Sequence, residues 1–221
     1  MVPVKLAALF FLPLLPGIFS SGLAQDPATP PPPPTFSILN LIRSPSPSTL
    51  KIGSNPVGEG EMSLGFYSGI LHWLPAAPLL VEAAGFPPLR IPPAKIAPGA
   101  CPLYVLQDAL EKPPGGGDPK PILKFLEIPN AKDRGACFFD GLNLTSRDSL
   151  AASLDGRNLV LEKGKRTRLT TKNGFRMQIR DGPEVALGPF EEDPGGMLLV
   201  FYENQDGTVT CVTTYDMQTK P

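Results

Sequence analysis

Ile38-Leu39-Asn40-Leu41 and Gly141-Leu142-Asn143-Leu144 are two versions of one phrase, and the segments downstream of each repeat in the same order. Ile52-Gly53-Ser54-Asn55-Pro56-Val57 falls where Leu154-Asp155-Gly156-Arg157-Asn158-Leu159 falls. LLVEAAGFPP at 79–88 sits opposite FRMQIRDGPE at 175–184 in outline, one position apart. Pro98-Gly99 before CPLYVLQD then matches Pro194-Gly195 before MLLVFYEN. The separations run 103, 102, 97 and 96, drifting in one direction as a few loop deletions would produce. A recurring order of this kind marks an internal duplication. It predicts two related β units, 36–108 and 137–221, and a connector at 109–136 that holds PPGGGDPKP and one apolar run, Ile122–Ile128. The competing explanation is chance likeness among strand-and-turn sequences, which recur throughout all-β chains.

From Thr35 onward the pattern is one of strands and turns, with almost no helical periodicity. Proline makes up 29 of 221 residues, against roughly one in twenty in average proteins. That density excludes long helices and suits short strands joined by stiff turns. Asn173-Gly174, within KRTRLTTKNGFRMQIR at 165–180, is a strong hairpin signal. A three-residue loop at 172–174 pairs Thr171 with Phe175. Leu169 then shares a face with Phe175, Met177 and Ile179, and Arg166, Arg168, Arg176 and Arg180 share the other. A one-residue slip would mix the two faces, so this register is the expected one. Further hairpins are predicted around Asp155-Gly156, between Ser149–Leu154 and Arg157–Leu161, and around Asp206-Gly207, between Met197–Glu203 and Thr208–Tyr215.

Short strands at regular spacing, separated by Gly and Pro turns, predict an all-β sandwich. The strand–Asp155-Gly156–strand pattern after Leu142-Asn143-Leu144-Thr145 resembles secreted bacterial immunoglobulin-like repeats, a set that includes families of unknown function. The resemblance covers most of the chain beyond its N-terminal segment. It implies two immunoglobulin-like β-sandwich units in tandem outside the cytoplasm, and it transfers no active site.

Residues 1–24 have the three parts of a cleavable signal peptide. Lys5 carries the charge, Leu6 to Phe19 is uncharged and apolar, and Gly22 and Ala24 stand at minus three and minus one. That run is shorter than the roughly 20 residues of a membrane-spanning helix. QDPATPPPPPT at 25–35 reads as an extended polyproline spacer. The chain is predicted to be extracytoplasmic, in the periplasm, at the cell surface or secreted, with no membrane span after cleavage. In an oxidising compartment its three cysteines allow three single pairings. Cys101 with Cys137 is the preferred one, since both begin apolar runs at the ends of the connector; three buried thiols satisfy the same count.

No catalytic pattern stands out. His72 is the only histidine and lies in the apolar ILHWLP. Gly65-Phe66-Tyr67-Ser68-Gly69 places its serine one residue too late for a nucleophile elbow. Metal-ligand spacings are absent, so no cofactor or metal is expected. Glu191-Glu192-Asp193 reads as a solvated loop, Glu203 to Gly207 as a turn, and Asn143-Leu144-Thr145 as a glycosylation sequon in a structural position. The formal net charge of −1 points away from nucleic acid.

The feature that carries a hypothesis is basic. Seven Lys and Arg and no acid lie between Lys163 and Arg180, and the expected register exposes Arg166, Arg168, Arg176 and Arg180 together. Such a face would bind an anionic envelope polymer or an acidic envelope protein; a charged sheet face also keeps an edge soluble. The expected function is that of a non-enzymatic binding or structural module of the cell envelope. The alternatives are a subunit of a larger envelope assembly and a hydrolase with paired carboxylates.

Overall fold

Four runs of this chain are too apolar to leave one face wet. The computed structural model, which describes residues 35–43, 51–52, 64–72, 79–83, 85–91, 100–116, 118–131, 137–192 and 195–216, places each of them in the middle of a sheet. The strands are β1 (Thr35–Leu41), β2 (Lys51–Ile52), β3 (Leu71–His72), β4 (Leu79–Glu82), β5 (Leu89–Ile91), β6 (Leu103–Glu111), β7 (Lys120–Ile128) and β8 (Phe138–Asn143), then β9 (Ser149–Leu154), β10 (Arg157–Glu162), β11 (Arg166–Thr170), β12 (Phe175–Ile179), β13 (Glu184–Leu187), β14 (Gly196–Glu203) and β15 (Val209–Tyr215). Every residue of β1 and β8 is buried. β1 pairs in parallel with β6, and β8 in parallel with β14. Parallel pairs covered on both faces are where continuous apolar runs belong.

The same connectivity occurs twice. The orders β3-β1-β6-β7 and β11-β8-β14-β15 form two four-stranded sheets, and smaller sheets β2-β4-β5 and β10-β9-β12-β13 accompany them. Phe36, Ile38, Tyr104 and Leu106 pack on Val81 in one core. Phe139, Leu199 and Phe201 pack on Leu150, Met177 and Ile179 in another. The opposite faces of the central strands supply a third core, in which Leu39, Leu103 and Val105 meet Leu142, Leu198 and Val200. Side chains alternate across each strand, so one strand serves two cores. The described residues belong to one compact unit, Pro33–Pro221, all-β and free of helix. Sheets packed face to face make a β-sandwich arrangement.

Equivalent positions extend to the turns. Asn40 Oδ1 accepts from Ile42 N–H at 3.0 Å, and Asn143 Oδ1 from Thr145 N–H at 3.0 Å. Gly65 N–H donates to Asn40 O and Gly164 N–H to Asn143 O, each at 2.8 Å, and both glycines have positive φ. The central register pairs Asn40 with Leu106 and Asn143 with Phe201, which moves the last sequence match by one residue, from 96 to 95.

Two hairpins form where expected. β9 and β10 join through Asp155-Gly156 at φ 46° and 80°, the positive values a two-residue turn of this type requires. β14 and β15 pair antiparallel around Asp206-Gly207. The hairpin expected at 165–180 does not form. β11 pairs with β8, while β12 pairs with β9 and β13 in the facing sheet. Leu169, Phe175, Met177 and Ile179 do share one core, but they enter it from opposite sheets, across a corner. A register irregularity between Arg168 and Thr170 precedes that corner. Gly174 serves close approach there, since a Cβ on it would stand 2.9 Å from Leu187 O. The stretch expected as a connector, 109–136, instead continues the first sheet: β6 runs to Glu111 and β7 pairs with it along its whole length. Pro121 is tolerated because β7 is an edge strand. The predicted signal peptide, and the spacer apart from Thr35, lie outside the described residues. Among the described residues no helix is long and apolar enough to cross a membrane.

Candidate functional site

An aspartate inside a doubly buried strand must be neutralised, because a lone buried charge is very costly. Asp140 lies in β8 with its side chain 4 % exposed, and β11 brings two arginines to it. Arg166 Nε donates to Asp140 Oδ2 at 2.5 Å, and Arg168 Nε donates to Oδ1. Arg166 reaches on to Asp216, also 4 % exposed, and to Pro129 O at 3.0 Å. Asp216 accepts from Asn130 Nδ2 at 2.7 Å and from Ala131 N–H at 3.0 Å. Asn130 in turn holds the backbone of Cys101 in both directions, at 2.7 and 3.0 Å. These bonds clamp the ends of β6 and β7 to the second four-stranded sheet. The Arg168 guanidinium lies over the Phe138 ring at 4.3 Å, a favourable cation–π position.

The four arginines expected on one face are therefore divided. Arg166 and Arg168 are spent in the clamp, while Arg176 and Arg180 are exposed on and just beyond β12 in the other sheet. No disulfide joins Cys101 to Cys137. Cys101 is buried beside Asn130, and the Cys137 thiol faces Lys172 O at 3.8 Å. Asn143 is fully buried, its amide donating to Arg147 O and Leu161 O, so the sequon serves structure. Tyr67 of the near-elbow sequence is raised in pKa by burial, with a Ser37 contact acting against that rise. Its bridge to Leu39 is the counterpart of Arg166 beside Leu142, so a neutral Tyr67–Ser37 pair stands where the other half has Arg166–Asp140. Glu191 and Glu192 are exposed. His72 lies in β3, opposite Thr35.

The second cluster went unread in the sequence. A cleft of about 260 Å³ opens where the two halves meet, at the ends of the central strands. Equivalent residues line it in pairs: Leu41 and Leu144, Gln107 and Tyr202, Asp108 and Glu203. The buried asparagines build it. Each ends its strand in a side-chain-capped turn, which aims the next backbone N–H at a carboxylate. Arg43 N–H donates to Asp108 Oδ1 at 2.7 Å, and Ser146 N–H to Glu203 Oε2 at 3.2 Å. Here the equivalence breaks, with Arg43 in one half and Ser146 in the other. The Arg43 guanidinium stands 3.9 Å from Asp108 and 3.6 Å from Glu203, spanning both carboxylates. Ser146 Oγ donates to Glu203 at 2.8 Å, and Arg147 lies 3.9 Å from it. Lys163 completes the rim, donating to Ser146 O at 3.0 Å.

No protein-family model matches the chain, and no curated protein matches it either. One sequence signal could have located the clamp: Asp140 interrupts the apolar run CFFDGLNL, where an acid needs a cationic partner. The cleft had a weaker signal, since Asp108 and Glu203 end the matching runs PLYVLQD and MLLVFYE.

Proposed function

We propose that this chain is exported and acts as a non-enzymatic binding or structural module of the cell envelope, built from two immunoglobulin-like β units in tandem. The observation that carries this reading is the cleft between the halves, backed by the core they share and lined by Arg43, Lys163, Asp108 and Glu203. A cleft on rigid strands presents fixed polar groups at little ordering cost, which favours binding. Residues 1–24 support export. Of the four arginines proposed as a binding face, Arg166 and Arg168 pair with buried carboxylates, Arg168 remaining exposed, and Arg176 and Arg180 are exposed in the other sheet.

Among the described residues, Asp108 and Glu203 are a carboxylate pair at a cleft on which a hydrolase reading could rest. The Arg43 guanidinium stands between them, 3.9 Å from Asp108 and 3.6 Å from Glu203. The test is co-sedimentation of the purified protein with isolated envelope material, together with cross-linking of the exported protein in cells. Saturable retention without consumption of material is expected. Recovery of the protein only in the cytoplasm, or no retention on envelope material, would overturn the reading.

A further inference from the structure

A strand at the rim of a sheet leaves every second N–H and C=O without a neighbour, and folded proteins guard such rims with charge or proline. Most rims of this chain are guarded. β7 carries Lys120, Pro121, Lys124 and Glu127, β10 carries Arg157 and Glu162, and β11 carries Arg166 and Arg168. The shorter β5 and β13 carry Arg90 and Glu184. β15, which holds in the second half the place of β7 in the first, reads VTCVTTY, with neither charge nor proline. Among the described edge strands longer than two residues, it stands alone in this.

The ladder to β14 shows which backbone groups face away from the sheet. Asp216 N–H donates to Gly196 O and Asn204 N–H to Thr208 O, each at 2.8 Å. Antiparallel bonding alternates, so Thr210, Val212 and Thr214 turn their N–H and C=O to β14. Val209, Cys211, Thr213 and Tyr215 turn theirs outward. The Tyr215 backbone is engaged by the Tyr67 hydroxyl. The outward groups of Val209, Cys211 and Thr213 meet no strand among the described residues.

From this unspent row we infer that β15 pairs antiparallel with β15 of a second copy, about a two-fold axis at Cys211. Val209 then exchanges both its bonds with Thr213 of the copy, and Cys211 with Cys211. Self-pairing sets an edge against its own charges, which suits a strand that has none. β7 presents Lys120 and Lys124 on one face and repels its own copy. Across the axis Thr210 stands beside Val212 of the copy, a pair of β-branched side chains that packs well on a pleated surface. One short strand from each chain makes an interface of the small class, below about 1,200 Å², so the dimer is a transient one. The pairing requires neither the cleft nor the envelope reading.

Sedimentation equilibrium of the purified protein from about 10 μM to about 1 mM tests it, and the mass is expected to rise from monomer toward dimer. Amide exchange followed by NMR over the same range reads the register. The N–H groups of Val209, Cys211 and Thr213 should slow as concentration rises, while those of Thr210, Val212 and Thr214 are protected throughout. Thr213→Pro removes an outward N–H and no bond to β14, a change an edge strand tolerates, and should weaken association at least tenfold. Thr213→Lys keeps the N–H, adds a charge to the rim and should weaken association too; it carries the test if the proline variant does not fold. R176A/R180A should associate as the parent does. A monomer mass at every concentration, association that protects other amides instead, or parental association in a folded Thr213 variant would overturn the inference.

Discussion

Replacing Arg166 by Ala removes a cation that pairs with both Asp140 and Asp216, each 4 % exposed at its side chain. Breaking a buried ion pair from one side costs about 3–5 kcal/mol, because the remaining charge stays buried and unpaired. Here both carboxylates keep some support. Asp140 retains Arg168, and Asp216 retains Asn130 Nδ2 and Ala131 N–H. The bond from Arg166 to Pro129 O is lost as well. The lower end of the range therefore applies, about 3 kcal/mol. At about 2–4 °C per kcal/mol for a domain of this size, Tm should fall by about 6–12 °C. Thermal and urea unfolding followed by circular dichroism measure it, and an unchanged urea slope would show that the denatured state is unaffected. R176A/R180A is the control, and as a surface change it should stay within about 0.5 kcal/mol of the parent. Pairing R166M with D216N should cost less than the sum of the two single changes, because no charge is then stranded. The clamp is refuted if Arg166→Ala unfolds within about 0.5 kcal/mol of the parent, or if the control costs as much.

Two further predictions use the same unfolding assay. Gly65→Ala places a Cβ 2.1 Å from the Tyr202 hydroxyl oxygen at φ +81°, and should destabilise by about 1–3 kcal/mol. Much of that loss should return in a Tyr202→Phe background, and a loss untouched by Tyr202→Phe would refute the contact. Burial pushes the Cys211 thiol from its usual 9.0 up to about 12 and raises Tyr67 and Tyr202 in the same direction. The folded state thus holds these protons more tightly than the unfolded chain. That stability is complete below about pH 9 and is lost as pH climbs toward 12. Stability should therefore fall through this window, less steeply in C211A, and a flat profile would count against the assignment.

The fold was legible where local chemistry and the global pattern agree. The strand class, the Asp155-Gly156 and Asp206-Gly207 hairpins and the order of matching phrases all rest on short-range signals. Asn173-Gly174 carries an equally strong short-range signal, yet it turns the chain between sheets. Both arrangements put Leu169, Phe175 and Met177 inside, so periodicity alone could not separate them. The parallel pairing of β1 with β6 joins segments far apart in sequence, and no local pattern encodes such a choice. Site residues fared worse for the same reason. Counting basic residues found Arg166 and Arg168, but their partners Asp140 and Asp216 come from two other strand regions. Whether an arginine is surface or staple depends on what stands opposite.

The placement of the cleft follows from the duplication. Were the halves two identical chains related by a two-fold axis, every residue near the axis would appear twice. Asp108 and its counterpart would then meet as equal carboxylates, with two copies of whatever cation neutralised them. One chain carrying both halves is free of that constraint. It keeps what builds the frame in both halves, namely Asn40 and Asn143, Gly65 and Gly164, and an acid at 108 and at 203. It varies what faces the opening: Arg43 against Ser146, and Gln107 against Tyr202. One arginine then bridges two acids where symmetry would demand two arginines. Ser146, which stands where the other half has Arg43, lines the cleft with Lys163 and Tyr202. The cleft is asymmetric in consequence: its two carboxylates hold equivalent positions, while the cations beside them, Arg43 and Lys163, do not.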